Sequence, residues 1–432
     1  MQQKGKISFF GAVLMSVNVM VGAGILYAVG PMTATADSAS CFGWPLIGLL
    51  LFPVIWCIAK AAELFPGEGG FYHYCSSGIN PTAGFIAHWG YLLGYLGTAA
   101  SLVTVLREEF IKNSGFEFLQ QYPVIFNLVL VVIYILINLI SVEKISKIQS
   151  VATLLKITPI VTVIAATAFY FHPNLAFNLP KFDHLGMTVS TVIFAYWGFE
   201  TCCSIGGLLK DGPKKVASVI LVGFFTTMAL YFFFHLGLLY IMGPENLAVH
   251  GAIAFPRFLG LPPALSSALE VGISCAILFS WANSILGISL ANITNIFSLA
   301  RKNLILGSKV LSTVNRSQRP TYAVLAHGLV LFAFTTSITN IDVLFALTNL
   351  GVLTALTLTL VSVFFAYLKQ KNHVQLAITV VAFISCSALF YYSFIKIPDI
   401  LYTLPLLIGM IAGVIMFKIQ TSRAAPLAIS ET

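Results

Sequence analysis

Long apolar stretches separated by short polar links recur from one end of the chain to the other. Twelve of them read as membrane-crossing helices, about 9–35, 43–62, 82–106, 122–140, 149–171, 186–209, 216–242, 263–290, 320–338, 342–367, 374–395 and 399–418. A bilayer core takes roughly 20 apolar residues to cross. The pattern predicts an all-α, polytopic membrane protein in one transmembrane domain over residues 1–432. It argues against a cleaved secretory signal, because the first run outlasts an h-region of about 7–15 residues and polar Asn18 interrupts it. Composition agrees. Of 432 residues, 58% are hydrophobic and 9% charged, against about 25% charged in a soluble domain.

An even number of crossings puts both termini on one side. Sixteen lysines and arginines, Lys4, Lys6, Lys144, Lys147, Lys210, Lys214, Lys215, Arg301 and Arg319 among them, fall in links on that side. Five fall opposite: Arg107, Lys112, Lys181, Arg257 and Lys396. Cytoplasmic loops carry the excess of positive charge. Both termini are therefore expected in the cytoplasm and the chain in the cytoplasmic (plasma) membrane. The net charge of +8 then reflects topology, and no nucleic-acid partner is called for.

Two stretches break the apolar pattern from within. Gly22-Ala23-Gly24 sits near the middle of the first segment, and Gly198 near the middle of the sixth, two residues before Glu200. Glycine costs about 1 kcal/mol against alanine in a helix. In lipid, a broken helix leaves polar backbone groups unpaired unless protein, water or a ligand meets them. One reading is close helix packing. The other is a pair of discontinuous helices, with the amides of Gly22, Ala23, Gly24 and Ile25 opening the second half of the first as an anion site. Five crossings separate the breaks, so the two segments run in opposite directions. That predicts two inverted five-helix repeats, about 9–171 and 186–367, with helices 11 and 12 (374–418) appended. Intramembrane ionisable residues are functional candidates. Glu200 is one, with a structural brace to freed amides as the companion reading. Lys156, about two turns inside the fifth segment, is another, with snorkelling to the interface as the alternative.

Other features are weaker. The glycine- and aromatic-rich link 63–81 reads as an ordered loop, and 301–320 as a basic, amphipathic surface helix. Gly90-x-x-x-Gly94 and Gly409-x-x-x-Gly413 are small-residue packing faces, the second serving either within the chain or in a homodimer. Glu270 reads as a packing or interfacial carboxylate. The seven cysteines show no metal or disulfide spacing. No zinc-protease, nucleophile-elbow or phosphate-loop motif is present, so enzyme activity is not expected.

Four stretches together resemble the amino acid–polyamine–organocation transporter superfamily over nearly the whole length. They are Gly22-Ala23-Gly24-Ile25; Pro66 with Gly69-Gly70-Phe71-Tyr72-His73-Tyr74; Phe194-Ala195-Tyr196-Trp197-Gly198-Phe199-Glu200; and Phe297-Ser298-Leu299-Ala300-Arg301-Lys302-Asn303 through Pro320. Lys302-Asn303 departs from the family's usual Asp-Gly, and the link from Glu63 to Gly69 is short. The resemblance implies alternating-access transport of an amino acid or amine, with no cofactor and a proton as coupling ion. It implies that amides of Gly22, Ala23, Gly24 and Ile25 hold the substrate carboxylate. Carbonyls of Phe194, Ala195 and Trp197 would hold its ammonium, and Phe194 would also close the outer path. Trp197, Thr201 and Cys202 would line the pocket, Lys156 would couple the proton, and Glu200 would brace the sixth helix. An amino acid/amine exchanger, with Glu200 facing a cationic substrate, is the competing expectation; a channel or receptor is a remote one.

Overall fold

The computed structural model describes residues 7–114, 117–169, 182–210, 212–395, 397 and 399–429. Of the charges counted above, Lys4, Lys6, Lys181 and Lys396 lie outside them, and the side chains of Lys112 and Arg423 are not described. The first apolar segment is two helices, α1 (Phe9–Met20) and α2 (Ala23–Ala36). Then come α3 (Gly43–Leu64), α4 (Gly70–Gly78), α5 (Pro81–Ser114), α6 (Glu117–Gln121), α7 (Pro123–Asn138) and α8 (Val142–Phe169). The sixth segment is again divided, into α9 (Val189–Tyr196) and α10 (Thr201–Ile205). The rest is α11 (Val216–Met242), α12 (Pro244–His250), α13 (Pro263–Arg301), α14 (Ser308–Leu311), α15 (Thr321–Ser337), α16 (Ile341–Gln370), α17 (His373–Ile395) and α18 (Leu404–Ile429).

Among the described residues, extended pairing is confined to one parallel bridge, Ile7 with Leu209. It clips the chain just before α1 onto the end of the sixth segment. Among the described residues, eight helical stretches are long and apolar enough to cross a membrane; α1, α7 and α15 are apolar but shorter. The side-chain distribution is that of a multi-pass membrane protein. α7 turns Leu128, Val129, Val132, Ile133 and Leu136 outward and buries Asn127 and Asn138. Polar groups face protein partners and hydrocarbon faces lipid, because a polar group has no partner in the bilayer core.

Both small-residue faces are used inside the chain. α5 meets α16 so closely that a Cβ on Gly351 would lie 2.6 Å from the Gly90 carbonyl oxygen. The Gly409–Gly413 face of α18 packs on Leu93 and Trp89 of α5, and the Trp89 indole donates to the Gly409 carbonyl at 2.9 Å. That motif is therefore not left as a dimer face.

Three expectations change. The 63–81 link contains a helix, α4, because Phe71, Tyr72, Tyr74 and Cys75 share a buried face. The eighth segment continues as helix to Arg301. Asn292, Thr294, Asn295 and Ser298 lower its hydropathy without interrupting the apolar spacing of Ile293, Ile296, Phe297 and Ala300. The 301–320 stretch holds one helical turn, α14, rather than an amphipathic helix. It is pinned instead by side chains. Asn315 Nδ2 donates to the Leu139 carbonyl at 2.9 Å, and the Arg319 guanidinium to the Asn138 carbonyl at 2.8 Å, a cation at the C-terminal end of α7 where the helix dipole favours it.

Candidate functional site

α1 ends where Val21 N–H donates to the Val17 carbonyl at 2.7 Å. Val21 has φ −73° and ψ 73°, an inverse γ-turn, which closes with Gly22 N–H on the Met20 carbonyl at 2.7 Å. The expectation that the Gly22 amide is free is thus corrected: the turn that breaks the helix consumes it. α2 starts beyond Gly22 with no side-chain cap. The N–H groups of Ala23, Gly24 and Ile25 open that helix, where geometry leaves the first amides without intrahelical acceptors. Ile25 is fully buried; the surroundings of Ala23 and Gly24 lie outside what is described.

Turning Gly22 away also strips the Asn18 carbonyl of its normal helical donor. Two side chains replace it. Lys156 Nζ donates at 2.6 Å and Ser284 Oγ at 3.0 Å, with Lys156 Nζ also 3.1 Å from Ser284 Oγ. Lys156 is 3% exposed, so it does not snorkel to the interface. The Asn18 amide exchanges hydrogen bonds with Asn283, whose Nδ2 is 2.8 Å from Asn18 Oδ1 and whose carbonyl accepts from Asn18 Nδ2 at 3.0 Å. α1, α8 and α13 are joined at the break by this polar cluster.

The second break falls at residues 197–200. Gly198 has φ +124° and lies against the first break: a Cβ there would be 2.8 Å from Val19 Cγ1 and 2.9 Å from Met20 N. The Tyr231 hydroxyl of α11 sits 2.6 Å from the Met20 carbonyl oxygen and 3.0 Å from that of Ala195, the carbonyl expected to face an ammonium. One hydroxyl thus spans the C-terminal ends of α1 and α9. Tyr231→Phe is expected to cost about 0.5–1.5 kcal/mol of stability, the net worth of one such bond, and a lowered unfolding temperature is the readout.

Glu200 is fully buried. Its Oε1 accepts from the Tyr95 hydroxyl of α5 at 2.8 Å and its Oε2 from Gly198 N–H at 3.2 Å. Thr201 Oγ1 also lies 2.8 Å from the Tyr95 hydroxyl. Trp197 donates its indole N–H to Asn349 Oδ1 of α16 at 2.8 Å. The Phe194 side chain lies outside what is described. Glu270, near the start of α13, makes a two-pronged ion pair with Arg257 at 2.6 and 2.7 Å. Tyr231, Ser284, Asn283 and Tyr95 are partners that sequence reasoning missed; only the polarity of residues within apolar segments hinted at them.

A family model described as "Amino acid permease" matches residues 7–417. A methylthioribose transporter of Bacillus subtilis is 24% identical over 85% of this chain and 81% of its own length. A branched-chain amino acid permease of the same organism is 22% identical over 85% of this chain and 82% of its own. A protein named as a probable agmatine/putrescine antiporter of Lactococcus lactis subsp. lactis is 23% identical over 60% of this chain, which spans 57% of that relative.

Proposed function

The chain belongs to the amino acid permease family, and on that premise we propose that it is a secondary active transporter of amino acids working by alternating access, driven as a proton symporter. The observation that carries this reading is the meeting of two broken helices, Gly198 against Val19 and Met20. A substrate carboxylate would sit on the amides of Ala23, Gly24 and Ile25. Its ammonium would sit on carbonyls at the end of α9, with helix N-termini drawing anions and C-termini cations. Tyr231 fits this role. It can keep the Met20 carbonyl, the nearer of its two acceptors, and release that of Ala195 to an ammonium. Phe194 is assigned the outer closure, and Trp197 and Thr201 the pocket wall.

In this reading the twelve apolar segments cross the membrane in two inverted repeats, 9–171 and 186–367, with both termini cytoplasmic in the plasma membrane. α1–α3 and α9–α11 rock against α5, α7, α8, α13, α15 and α16. Lys156 to Asn18 and Tyr95 to Glu200 both cross that divide, so both must change within a cycle. Lys156 is assigned the coupling proton and Glu200 the brace.

The test is thermal unfolding of the detergent-purified protein against the twenty amino acids and common polyamines, followed by uptake into proteoliposomes under an imposed proton gradient. A ligand held only by the folded state stabilises it by about 2.7 kcal/mol at a hundredfold excess over Kd. Stabilisation by α-amino acids and not by their amines, with gradient-driven accumulation, is expected. Stabilisation by amines alone would turn Glu200 into a substrate counter-ion and favour exchange, the activity in the name of the Lactococcus relative. Glu200→Gln keeps an acceptor for Tyr95. It is expected to retain substrate-induced stabilisation while changing the pH response of uptake, whereas Tyr95→Phe should slow uptake at every pH. Identical behaviour of both variants and the parent would remove the brace.

A further inference from the structure

On the face that the reading above puts in the cytoplasm, the chain forms a partly open cavity of about 170 Å³. It lies between the two bodies proposed to rock. On one side are Ser204, Gly207 and Leu208, at the end of the sixth segment. On the other are Thr294, Ser298 and Arg301 of α13, with Glu68 and Lys302 at the rim. It thus lies beyond the second break, toward the cytoplasmic end of the sixth segment.

The lining carries both signs of charge. Arg301 Nη1 is 3.2 Å from Glu68 Oε2, and each side chain is 45% exposed. An ion pair so exposed to water is weak and opens readily. Lys302 Nζ lies 4.4 Å from the centre of the Tyr72 ring. Partial burial, ahead of the opposing charge of Glu68, lowers its pKa, so an incoming anion would relieve it. Ser204 is 7% exposed, and its hydroxyl has no hydrogen-bond partner, although a buried polar group normally has one. The space is kept open for Glu68: a Cβ on Gly207 would fall 2.9 Å from Glu68 Cγ. In size the cavity matches one of about 150 Å³ that takes benzene, and a small α-amino acid has a comparable number of heavy atoms.

We propose that this cavity is a second binding station for a zwitterionic α-amino acid on the inner path. There the substrate replaces the Glu68–Arg301 pair with its own two charges. Its carboxylate goes to Arg301 and Lys302, its ammonium to Glu68, and Ser204 supplies a hydroxyl from the moving body. A neutral solute has nothing to offer the separated pair, and an amine satisfies only Glu68. The proposal rests on the transport reading and adds a site to it, with no change at the breaks.

The experiment measures KM separately at each face, in right-side-out and inside-out proteoliposomes of the full chain. The probes are L-alanine, L-serine and L-leucine, each beside its decarboxylated amine (ethylamine, ethanolamine, isopentylamine). Arg301→Gln is expected to raise the inner-face KM of the transported amino acid by up to about fivefold, the worth of one exposed charge contact. Its outer-face KM and the unfolding temperature should not change, nor should inhibition of inner-face uptake by the matching amine. Glu68→Gln should raise the inner-face KM of the amino acid and also weaken the inhibition by the amine. An unchanged inner KM, or equal rises at both faces, overturns the station. An equal effect of Arg301→Gln on amino acid and amine overturns it too, reducing the pair to a latch. A parent protein that moves none of the twenty amino acids at either face overturns the transport reading itself; parent flux with unaltered variants overturns this inference alone.

Discussion

Lys156→Ala is expected to abolish coupled uptake while leaving the fold about as stable as before. Two terms set the stability. Placing a lysine at the centre of a membrane helix costs about 2.5–3.5 kcal/mol on insertion scales, and the substitution recovers that. Against it stands the loss of the hydrogen bonds that Lys156 Nζ makes to the Asn18 carbonyl and Ser284, each worth about 1.5–3 kcal/mol for a charged donor. The two ranges, about 3–6 kcal/mol lost and about 2.5–3.5 kcal/mol recovered, overlap, and Ser284 still donates to the freed carbonyl at 3.0 Å. Transport has no such compensation. The lysine is the one cation that reaches from α8 to the break in the first segment among the described residues. Without it nothing charged ties the break to the scaffold in one state and releases it in the other. A loss of at least tenfold in uptake, about 1.4 kcal/mol, is expected, with the residual flux no longer following pH. Unfolding temperature and uptake measured on the same preparation separate the two effects. Unaltered uptake with its pH dependence intact would remove Lys156 from coupling and leave it a structural donor.

Much of this candidate site is legible in the sequence, for one physical reason. Features that are costly in a bilayer stand out in a chain that is otherwise apolar. Glycines in the middle of a crossing, a carboxylate two residues past one of them and a lysine two turns inside another segment all cost free energy that packing or function must offset. What was illegible is what costs little. Tyr231, Ser284 and Asn283 are polar residues of a kind common in such helices, and nothing in their order along the chain says which face they occupy. The Gly22 amide was misjudged because an inverse γ-turn is a matter of two dihedral angles at Val21, and no residue type there announces it. The length of α13 was underestimated because hydropathy falls where a helix turns polar while its periodicity continues. The packing of Gly409 and Gly413 on α5 could not be told from a dimer face, because a small-residue motif states closeness and not the identity of the neighbour.

Gly198→Ala is expected to damage both the stability of the protein and its hold on substrate. At φ +124° a residue with a Cβ is strained by about 1–3 kcal/mol. The added carbon would also stand 2.8 Å from Val19 Cγ1 and 2.9 Å from Met20 N. The second neighbour is backbone at the last residue of α1 and cannot rotate aside. Relief requires the two breaks to separate, and forced repacking of that kind costs about 1–3 kcal/mol more. Separation would in turn pull the Met20 and Ala195 carbonyls apart, so that Tyr231 can serve only one of them, and would shift the Gly198 N–H away from Glu200. Both the stability of the protein and its substrate-induced stabilisation should therefore fall together, unlike the outcome for Lys156→Ala. Gly272→Ala is the matching control. It lies within α13 with no heavy atom within 4 Å of the new Cβ, so the helix should gain up to about 1 kcal/mol and transport should be unaffected. If Gly198→Ala behaved like Gly272→Ala, the two breaks would not meet as described, and a substrate bridging them would lose its structural basis.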